Sequence, residues 1–530
     1  MSRPGRVAGR GRLRGLVIAA VAVAALLPAG GAFAAPAPPQ QACDRRENNT
    51  YPKILECIRL GQVREHQAAF QAIANANGGN RFSGTAGYNA SAAYVAGKLR
   101  AAGYSVTVQS FNYLAFERLG PSALQQLAPS AVTYVENTDF GLITQSDPGD
   151  VSANVTAVDL QLGLGNASTS GCEATDFAGF PAGNIALLQR GTCTFEQKAE
   201  TAAAAGAVGI VIMNQGNTTA TDRNNIPAVT LTANNTSGIP VLGVTYALGV
   251  TLNSLPGLRM RVFANSLRQI LPTSNVLAEK RGANNGNGVM AGAHLDSVLA
   301  GPGINDNGSG SAGILEAAEQ LANFTPQNTL RFAWWGAEES GLVGSTNYVN
   351  GLSQAEKDRI ALYLNFDMIG SPNYIFMVYD ADQSGFTAPV PIPPGSTAIE
   401  DLFESFYTLR DEPYDDAEFS GRSDYQAFIN NGIPAGGLFT GAEVPKTAAQ
   451  ALIWGGTVGA QYDPCYHAVC DTFANNNDHA LEVNADAIGF ALLTYAQSTQ
   501  SVNGVPGVPV DGNFQIPAPA GPEGTVGSGP

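Results

Sequence analysis

The feature that most constrains the fold is an alternation of strand and helix patterns that begins near Asn275. Residues 288–293 form a run of small and apolar side chains that is typical of a buried strand, and residues 310–324 have apolar side chains at helical spacing. Residues 329–335 and 361–368 predict two further strands. Strands that alternate with helices indicate an α/β fold, in which a mixed, mostly parallel sheet is sandwiched between helices.

A similar pattern occurs nearer the N-terminus. Residues 93–102 have helical spacing, Gly103 ends this helix, and residues 104–111 read as a strand. Between the two α/β regions the sequence changes to short β-like runs separated by Gly, Asn and Thr. A chain of 530 residues is also too long for one ordinary core. We therefore expect the N-terminal part of an α/β domain at residues 35–121, an inserted β-rich domain at 122–266, and the main part of the α/β domain, with the functional site, at 267–501.

The two ends of the chain have compositions of their own. Residues 1–34 contain arginines, an apolar run at 16–27 and a terminal Ala-Phe-Ala triplet, which together are typical of a secretory signal peptide. The apolar run is too short to cross a bilayer as a helix, which takes about 20 residues. We expect a mature chain that is secreted into the extracellular space and has no part in a membrane. The Pro- and Gly-rich tail at 502–530 has little to bury and is expected to be disordered.

The composition indicates which classes of partner the chain can bind and whether its cysteines are oxidised. The chain has 28 Lys and Arg against 44 Asp and Glu, a formal net charge of -16, so we expect no nucleic acid partner. Its six cysteines are an even number in an exported chain, which favours disulfides over free thiols, and no pair has the C-x-x-C spacing of a structural zinc site. Sequence does not fix the connectivity, but the spacing favours three local pairs: Cys43 with Cys57, Cys172 with Cys193, and Cys465 with Cys470.

Two of the four histidines lie in conspicuous settings, His294 in GAHLDS and His467 in PCYHAVC. His294 ends a run of small and apolar residues, which places it at the carboxyl end of a strand, where open α/β sheets bind their ligands. The pair His294 and Asp296 is by itself a weak signal, because it is equally typical of a hydrogen bond on the surface.

Four carboxylates follow in similar positions. Asp306 lies in a glycine-rich loop that leads into a helix, where a single Asp is also a common turn former or cap. Glu338 and Glu339 are adjacent at the end of one predicted strand, and no Lys or Arg follows them closely to neutralise their charges. Asp367 ends the next strand. A pair of divalent cations is the simplest charge that would hold these carboxylates together with imidazole.

Six stretches of the chain resemble a known family. They are AGAHLDSV, GINDNGSGSAGILE, WWGAEESGLVGS, LNFDMIGSPN, SGRSDYQAF and PCYHAVCDT, in that order. Together they resemble the di-zinc exopeptidases typified by secreted bacterial leucyl aminopeptidases, which are related to glutamate carboxypeptidases, glutaminyl cyclases and the transferrin receptor. Within the expected insert, residues 171–216 resemble the protease-associated domain, a small β-rich module that carries no catalytic residues. The resemblance implies the zinc exopeptidase fold.

The resemblance also implies a metal centre with two zinc ions per chain. One zinc ion would take His294, Asp306 and Asp367, and the other would take Asp306, Glu339 and His467, so that Asp306 bridges them. Glu338 matches the general base of the family. This role agrees with its chemistry, since a carboxylate beside the metals can take a proton from water and pass it to the leaving amine.

Five further positions have roles that the resemblance implies. Asp296 would orient His294 by accepting its free ring N–H. Tyr466 matches a tyrosine that donates a hydrogen bond to the developing oxyanion, and a disulfide between its neighbours Cys465 and Cys470 would fix its loop. Arg422 matches a position near the substrate amino group, although a single Arg in a loop is equally a surface charge. Met368 and Phe439 resemble positions that line an apolar pocket, which favours Leu, Met or Phe as the first residue of the substrate.

The sequence therefore predicts a secreted zinc aminopeptidase that acts on peptides with a free N-terminus. A carboxypeptidase or another exopeptidase of the same fold is the first alternative. A non-catalytic binding protein with the insert as its recognition surface is the second, and the intact ligand set argues against it. The sequence does not decide the oligomeric state or whether a structural Ca²⁺ is bound as well.

Overall fold

The computed structural model describes residues 40–525. The expected signal peptide at 1–34 lies outside the described residues, as do the last residues of the tail. The described strands are β1 (Ser105–Arg118), β2 (Ala123–Ala128), β3 (Val132–Thr133), β4 (Phe140–Leu142), β5 (Gly149–Ala157), β6 (Ile185–Gln189), β7 (Gly209–Met213), β8 (Val241–Val244), β9 (Arg259–Ala264), β10 (Ser266–Lys280), β11 (Asn284–His294), β12 (Asn328–Trp335), β13 (Ile360–Phe366), β14 (Met377–Tyr379), β15 (Asp415–Ala417) and β16 (Ala435–Phe439).

The α-helices of the same region are α1 (Gln40–Cys43), α2 (Tyr51–Cys57), α3 (Leu60–Ala76), α4 (Ala86–Ala101), α5 (Phe195–Ala204), α6 (Tyr246–Ser254), α7 (Gly308–Gln320), α8 (Val343–Gly351), α9 (Gln354–Lys357), α10 (Ser396–Arg410), α11 (Tyr425–Ile429), α12 (Ala448–Trp454), α13 (Asp478–Gln497) and α14 (Gln500–Asn503). Within residues 40–525, no helix is both long enough and apolar enough to cross a lipid bilayer.

The larger part of the chain is built on a mixed eight-stranded sheet with the order β1-β10-β12-β11-β13-β16-β14-β15. Its centre is parallel, because β12, β11, β13 and β16 pair in the same direction. The pairs β1 with β10, β10 with β12 and β14 with β16 are antiparallel. The predicted α/β class with a mixed sheet is therefore confirmed.

Helices cover both faces of this sheet, as two neighbouring tryptophans show. Successive side chains of a strand point to opposite faces. The indole N–H of Trp334 donates to the carbonyl of Ser311 on α7, at 3.1 Å. The ring of Trp335 instead packs against Tyr348 of α8 and Phe428 of α11. Helix α7 therefore lies on one face of the sheet, and helices α8 and α11 lie on the other.

A second eight-stranded sheet, with the order β3-β2-β9-β5-β6-β7-β8-β4, is formed by residues 123–264. Strands β5 to β8 are parallel neighbours. Alternate residues of β6 enter two separate cores, with Ile185 and Leu187 in one and Ala186 and Leu188 in the other. This sheet is therefore buried on both of its faces, which explains why its central strands read as continuous apolar runs.

Two long strands connect the sheets. Strands β1 and β10 pair antiparallel along their whole length, from Ser105 opposite Glu279 to Arg118 opposite Ser266. Beyond that point the N–H of Leu119 donates to the carbonyl of Asn265, at 3.0 Å. The chain thus leaves and re-enters the main sheet at adjacent positions, and the second sheet lies between them in sequence.

Three disulfides tie local segments together, and the described residues include no free cysteine. They join Cys43 to Cys57, Cys172 to Cys193, and Cys465 to Cys470, the pairs that the spacing favours.

The tail differs from the disorder expected for residues 502–530. Up to the end of the described residues it lies along the α/β domain, where the ring of Phe514 packs 5.0 Å from that of Tyr51. The N–H of Thr525 donates to the carboxylate of Asp415 at the start of β15, at 2.9 Å. Such contacts cannot be predicted from a composition poor in apolar residues, because they are made by backbone N–H groups and by a single aromatic ring.

Candidate active site

The predicted chemical residues meet at the carboxyl edge of the main sheet. His294 is the last residue of β11, and Asp367 directly follows β13. Glu338 and Glu339 follow the neighbouring strand β12 after a two-residue connection. Because these three strands are parallel, their carboxyl ends bring the four side chains to the same edge.

Asp306 lies between the two histidines. Its Oδ1 is 3.2 Å from Nε2 of His294, and its Oδ2 is 3.2 Å from Nε2 of His467. The first imidazole nitrogen is also 3.4 Å from Oδ1 of Asp367, and the second is 3.0 Å from Oε2 of Glu339. The residues thus form two groups of three donors that share one carboxylate.

These donors fit two divalent cations. Two ligand atoms that each lie about 2.1 Å from a tetrahedral zinc ion are about 3.4 Å apart, close to the spacings found here. In addition, Oδ1 of Asp367 and Oε1 of Glu339 are buried and have no hydrogen-bond partner among residues 40–525. Buried charged oxygens without partners are costly, and a metal ion would satisfy them.

The electrostatics of the site indicate the same missing positive charge. Burial raises the pKa of Glu338 well above its usual value, and the neighbouring Glu339 raises it further. Burial, with the charge of Asp306, raises the pKa of Glu339 to about 7. Asp424, which the sequence analysis did not single out, is buried beside them and has a pKa raised to about 7. The side chains around the site therefore carry too little positive charge to compensate the negative charge of so many carboxylates.

Asp296 holds two parts of the site in place. It is fully buried, and its two carboxylate oxygens accept the backbone N–H groups of Glu338 and Glu339, at 3.2 and 3.4 Å. Nδ1 of His294 lies 3.7 Å from Oδ1 of Asp296 and 3.2 Å from its backbone carbonyl. Asp296 therefore contacts both the ring of His294 and the turn that carries the paired glutamates.

Two more residues support the carboxylates, and neither was predicted from the sequence. Ser423 donates its hydroxyl to Oδ2 of Asp367, at 2.6 Å, which leaves Oδ1 directed at His294. Asp471 accepts the N–H of Asp306 at 3.0 Å and that of Asn305 at 2.8 Å. Ser423 lies in the SGRSDYQAF stretch and Asp471 lies in the PCYHAVCDT stretch. Only the folded structure shows that they contact Asp367 and Asp306, respectively.

Comparison with known proteins assigns the family. Residues 275–491 match peptidase family M28, and residues 151–252 match the PA domain. An aminopeptidase of Pseudomonas aeruginosa is 51% identical over 450 residues, which are 85% of this chain and 83% of that protein. The chain belongs to peptidase family M28. The predicted resemblance to aminopeptidases with an inserted protease-associated domain is thereby confirmed.

Other relatives agree with this assignment. Leucine aminopeptidase 2 of Trichophyton rubrum is 43% identical over 356 residues, 66% of this chain and 69% of that protein. An aminopeptidase from Aneurinibacillus sp. strain AM-1 has the same fold, with a TM-score of 0.60 at 24% identity over 87% of this chain and 98% of that one. A zinc aminopeptidase from Bacillus subtilis has a TM-score of 0.52 at 25% identity over 82% and 94%. The predicted enzyme class, an aminopeptidase, is supported by the Pseudomonas and Trichophyton relatives, and zinc is named for the Bacillus subtilis enzyme.

A buried arginine beneath the M28 site was missed from the sequence. The guanidinium of Arg81 donates to the carbonyls of Leu295, Pro302 and Gly303, around the loop that carries Asp306. Burial lowers its pKa to about 10, so it stays charged at neutral pH and offsets part of the acidic charge above it. Arg81 lies in a Gly- and Asn-rich loop between α3 and α4, and no local motif marks it.

The M28 site opens into a cavity of about 350 Å³. Met368 and Phe439 line it, together with Tyr466 and Arg422. One guanidinium nitrogen of Arg422 donates to the hydroxyl of Tyr466 at 3.1 Å, and another donates to Glu443 at 2.8 Å. Arg422 therefore positions the Tyr466 hydroxyl in the structure.

Proposed function

We propose that this M28 enzyme is a two-zinc aminopeptidase that removes single residues from the free N-terminus of peptides. The observation that carries the proposal is the position of Asp306, whose two oxygens each face one imidazole at 3.2 Å. A carboxylate shared in this way suits a bridging ligand between two metal ions. The zinc aminopeptidase of Bacillus subtilis, which shares the fold, supports the choice of metal.

When bound, the two zinc ions would polarise the scissile carbonyl and lower the pKa of the attacking water. Glu338 lies 3.8 Å from Nε2 of His294 and belongs to neither group of three donors. In our proposal it takes the proton of the water and gives it to the leaving amine. Burial raises the pKa of Tyr466 well above its usual value, so its hydroxyl stays protonated and can donate to the carbonyl oxygen as negative charge develops there.

The same geometry favours a substrate with a free amino group. Glu338 and Asp367 are both buried in the wall of the cavity and give an ammonium group an acidic recess beside the reacting carbonyl. Met368 and Phe439 provide apolar surface for the first side chain. We therefore propose a preference for Leu, Met or Phe, which agrees with the name of the Trichophyton relative.

We also propose that the mature enzyme works outside the cell. Three disulfides join all six cysteines, and such bonds persist in oxidising compartments. The sequence of residues 1–34, which is typical of a signal peptide, supports the same location.

The test uses one preparation of the full chain for a zinc count and for hydrolysis of Leu-Gly-Phe in three forms: free, N-acetylated and C-amidated. We expect about two zinc ions per chain and loss of activity on chelation. Free Leu should appear from the first and third peptides and not from the second, because acetylation removes the charge that the acidic recess binds.

Two results would contradict the proposal in different ways. Full activity with one metal ion per chain would exclude the bridged pair. Efficient cleavage of the acetylated peptide, with a requirement for a free C-terminal carboxylate, would make the enzyme a carboxypeptidase instead. In the cavity wall as described, the one arginine is Arg422, which is already paired with Glu443, and this argues against a site for a C-terminal carboxylate.

A further inference from the structure

A second group of carboxylates, distinct from the M28 site, surrounds the loop that follows β14. This acidic cluster consists of Asp380, Asp382, Glu400, Glu404 and Asp416. Asp380 directly follows β14, Asp416 lies in β15, and the two glutamates are four residues apart on α10. All except Asp382 are buried.

The oxygens of the cluster form two overlapping groups of three. One oxygen each of Asp380, Asp382 and Glu400 lies within 4.8 Å of the other two, and the same holds for Glu400, Glu404 and Asp416. Glu400 belongs to both groups and so joins them. Among residues 40–525, no Lys, Arg or His forms an ion pair with any of the five.

One side chain of the cluster keeps a buried oxygen that no group of the described residues satisfies. Asp416 is only 4% exposed, and its Oδ1 has no hydrogen-bond partner. Buried carboxylates of an ordinary structural kind are hydrogen-bonded, as Glu400 is by the N–H groups of Ala381 and Asp382. The free Oδ1 of Asp416 therefore points to a ligand.

The loop itself has the local spacing of a calcium-binding loop. Residues 380–385 read DADQSG, with oxygen-bearing side chains at the first, third and fifth positions and Gly at the sixth. Gly385 passes so close to the cluster that a Cβ there would lie 2.5 Å from Oδ2 of Asp416. Ser384 donates its hydroxyl to the same oxygen, at 3.2 Å, which leaves Oδ1 available.

We propose that the acidic cluster is a Ca²⁺ site. Its donors are all oxygens, without imidazole or thiolate, which disfavours zinc. Five carboxylates can supply the six to eight oxygen ligands that Ca²⁺ takes, whereas Mg²⁺ keeps several of its waters and is seldom held by a cage made only of protein groups. Burial, together with the neighbouring carboxylates, raises the pKa of Glu400 to about 9 and that of Glu404 to about 7, which shows how little positive charge the protein itself places beside them.

The position of the cluster gives the ion a structural role beside the M28 site. Tyr379, the last residue of β14, lines the active-site cavity immediately before Asp380. Beyond β15 the chain continues into residues 420–425, most of which line the same cavity. An ion held by Asp380, Asp416 and the glutamates of α10 would therefore fasten two segments of the cavity wall to one helix.

The experiment uses the full chain, stripped of metals and reloaded with zinc alone, and measures the midpoint of thermal unfolding during titration with CaCl₂ or MgCl₂. The variants are Glu404→Gln and Asp416→Asn. The control is Glu482→Gln, which removes one exposed carboxylate from α13. For the unsubstituted chain and the control, saturating Ca²⁺ should raise the midpoint by about 3–5 °C, and Mg²⁺ should do much less. In the two variants the apparent affinity for Ca²⁺ should fall at least about tenfold.

A calcium-free comparison separates a metal ligand from a carboxylate that merely supports the fold. Without Ca²⁺, Glu404→Gln should unfold at the same temperature as the unsubstituted chain or higher, because it removes an uncompensated buried charge. If either variant folds poorly, Tb³⁺ luminescence of Asp382→Asn, whose side chain is exposed, gives the same test. Equal Ca²⁺ responses in all variants, or equal responses to Mg²⁺, would overturn the proposal. These readouts do not depend on peptidase activity, so a failure here is separate from a failure of the proposed function.

Discussion

The two sheets of this protein have parallel strands at their centres, yet their carboxyl edges are chemically different. At the edge of the main sheet, oxygens of Asp367 and Glu339 are buried without hydrogen-bond partners. At the edge of the inserted sheet stands Gln189, the last residue of β6, which is fully buried. Its amide donates to the carbonyls of Gln161 and Gln215, and its carbonyl accepts the N–H of Gln161.

Asn214 extends this contrast. It follows β7, and its amide donates to the carbonyls of Asp222 and Asn225 while its oxygen accepts the N–H of Gln215. The same location in two parallel sheets thus holds neutral, satisfied side chains in one and charged, unsatisfied side chains in the other. A carboxyl edge offers a place for chemistry, but the unsatisfied charged groups are what mark a site.

The largest effect on activity is expected from substitutions at the carboxyl edge of the main sheet. Glu338→Gln should lower kcat by about 10³-fold, since it removes the proposed general base and leaves both proposed groups of metal ligands intact. Glu339→Gln should lower metal content as well. The measurement is the hydrolysis rate of an N-terminal Leu substrate together with elemental analysis, with Glu482→Gln as the control. Metal loss in the first variant and not in the second would reverse the two roles.

A smaller effect is expected at the tyrosine. Tyr466→Phe should lower kcat by about 10²-fold with little change in KM, because the hydroxyl acts on charge that exists only in the transition state. Tyr462→Phe is a matched control, since that hydroxyl donates to Gln450. A change confined to KM would show that Tyr466 binds the substrate and does not stabilise the oxyanion.

Removing the inserted sheet should affect activity less. Because Leu119 and Asn265 are already hydrogen-bonded neighbours, residues 120–264 can be replaced by an Asn-Gly turn. We expect hydrolysis of a dipeptide to stay within about tenfold, since no predicted metal ligand lies in the removed part. Longer peptides should be affected more, because Glu117 and Arg118 at the root of the insert line a groove that reaches Glu339 and His467. A folded, zinc-loaded variant without any dipeptidase activity would show that the insert completes the active site.

The smallest effect on activity is expected from a substitution at the carboxyl edge of the inserted sheet. Gln189→Leu should cost about 1–3 kcal/mol of unfolding free energy, because it leaves the backbone N–H and carbonyl of Gln161 and the carbonyl of Gln215 without their hydrogen-bond partner. Its kcat/KM on a dipeptide should stay within about twofold. Gln161→Leu, which changes an exposed side chain, is the control for stability. A large loss of activity in Gln189→Leu would remove the contrast between the two edges.

The side chains at the carboxyl edge of the main sheet could be predicted from the sequence alone, because each follows a strand or lies in a recognisable stretch. His294, Glu338 and Asp367 stand at strand ends, which apolar runs reveal. Arg81 was missed because its partners are more than 200 residues away and its own loop carries no pattern. The supporting role of Asp471 also depends on a contact between distant segments.

The acidic cluster shows the same limit. Its spacing at residues 380–385 is local, but Glu400, Glu404 and Asp416 join it only through the packing of α10 and β15. The contacts of the tail could not be foreseen for a related reason. Its described part is held by Asp415 and Tyr51, which composition does not reveal.

The paired tryptophans of β12 have an optical consequence. The chain contains three tryptophans, and Trp334 and Trp335 are both fully buried on the strand that leads to Glu338. The third, Trp454, lies on α12, so the inserted sheet contains none. Tryptophan fluorescence should therefore report on the unfolding of the main sheet, and it should not change while the inserted sheet unfolds. Circular dichroism registers both sheets, and any gap between the two signals during heating would give the order in which the sheets melt.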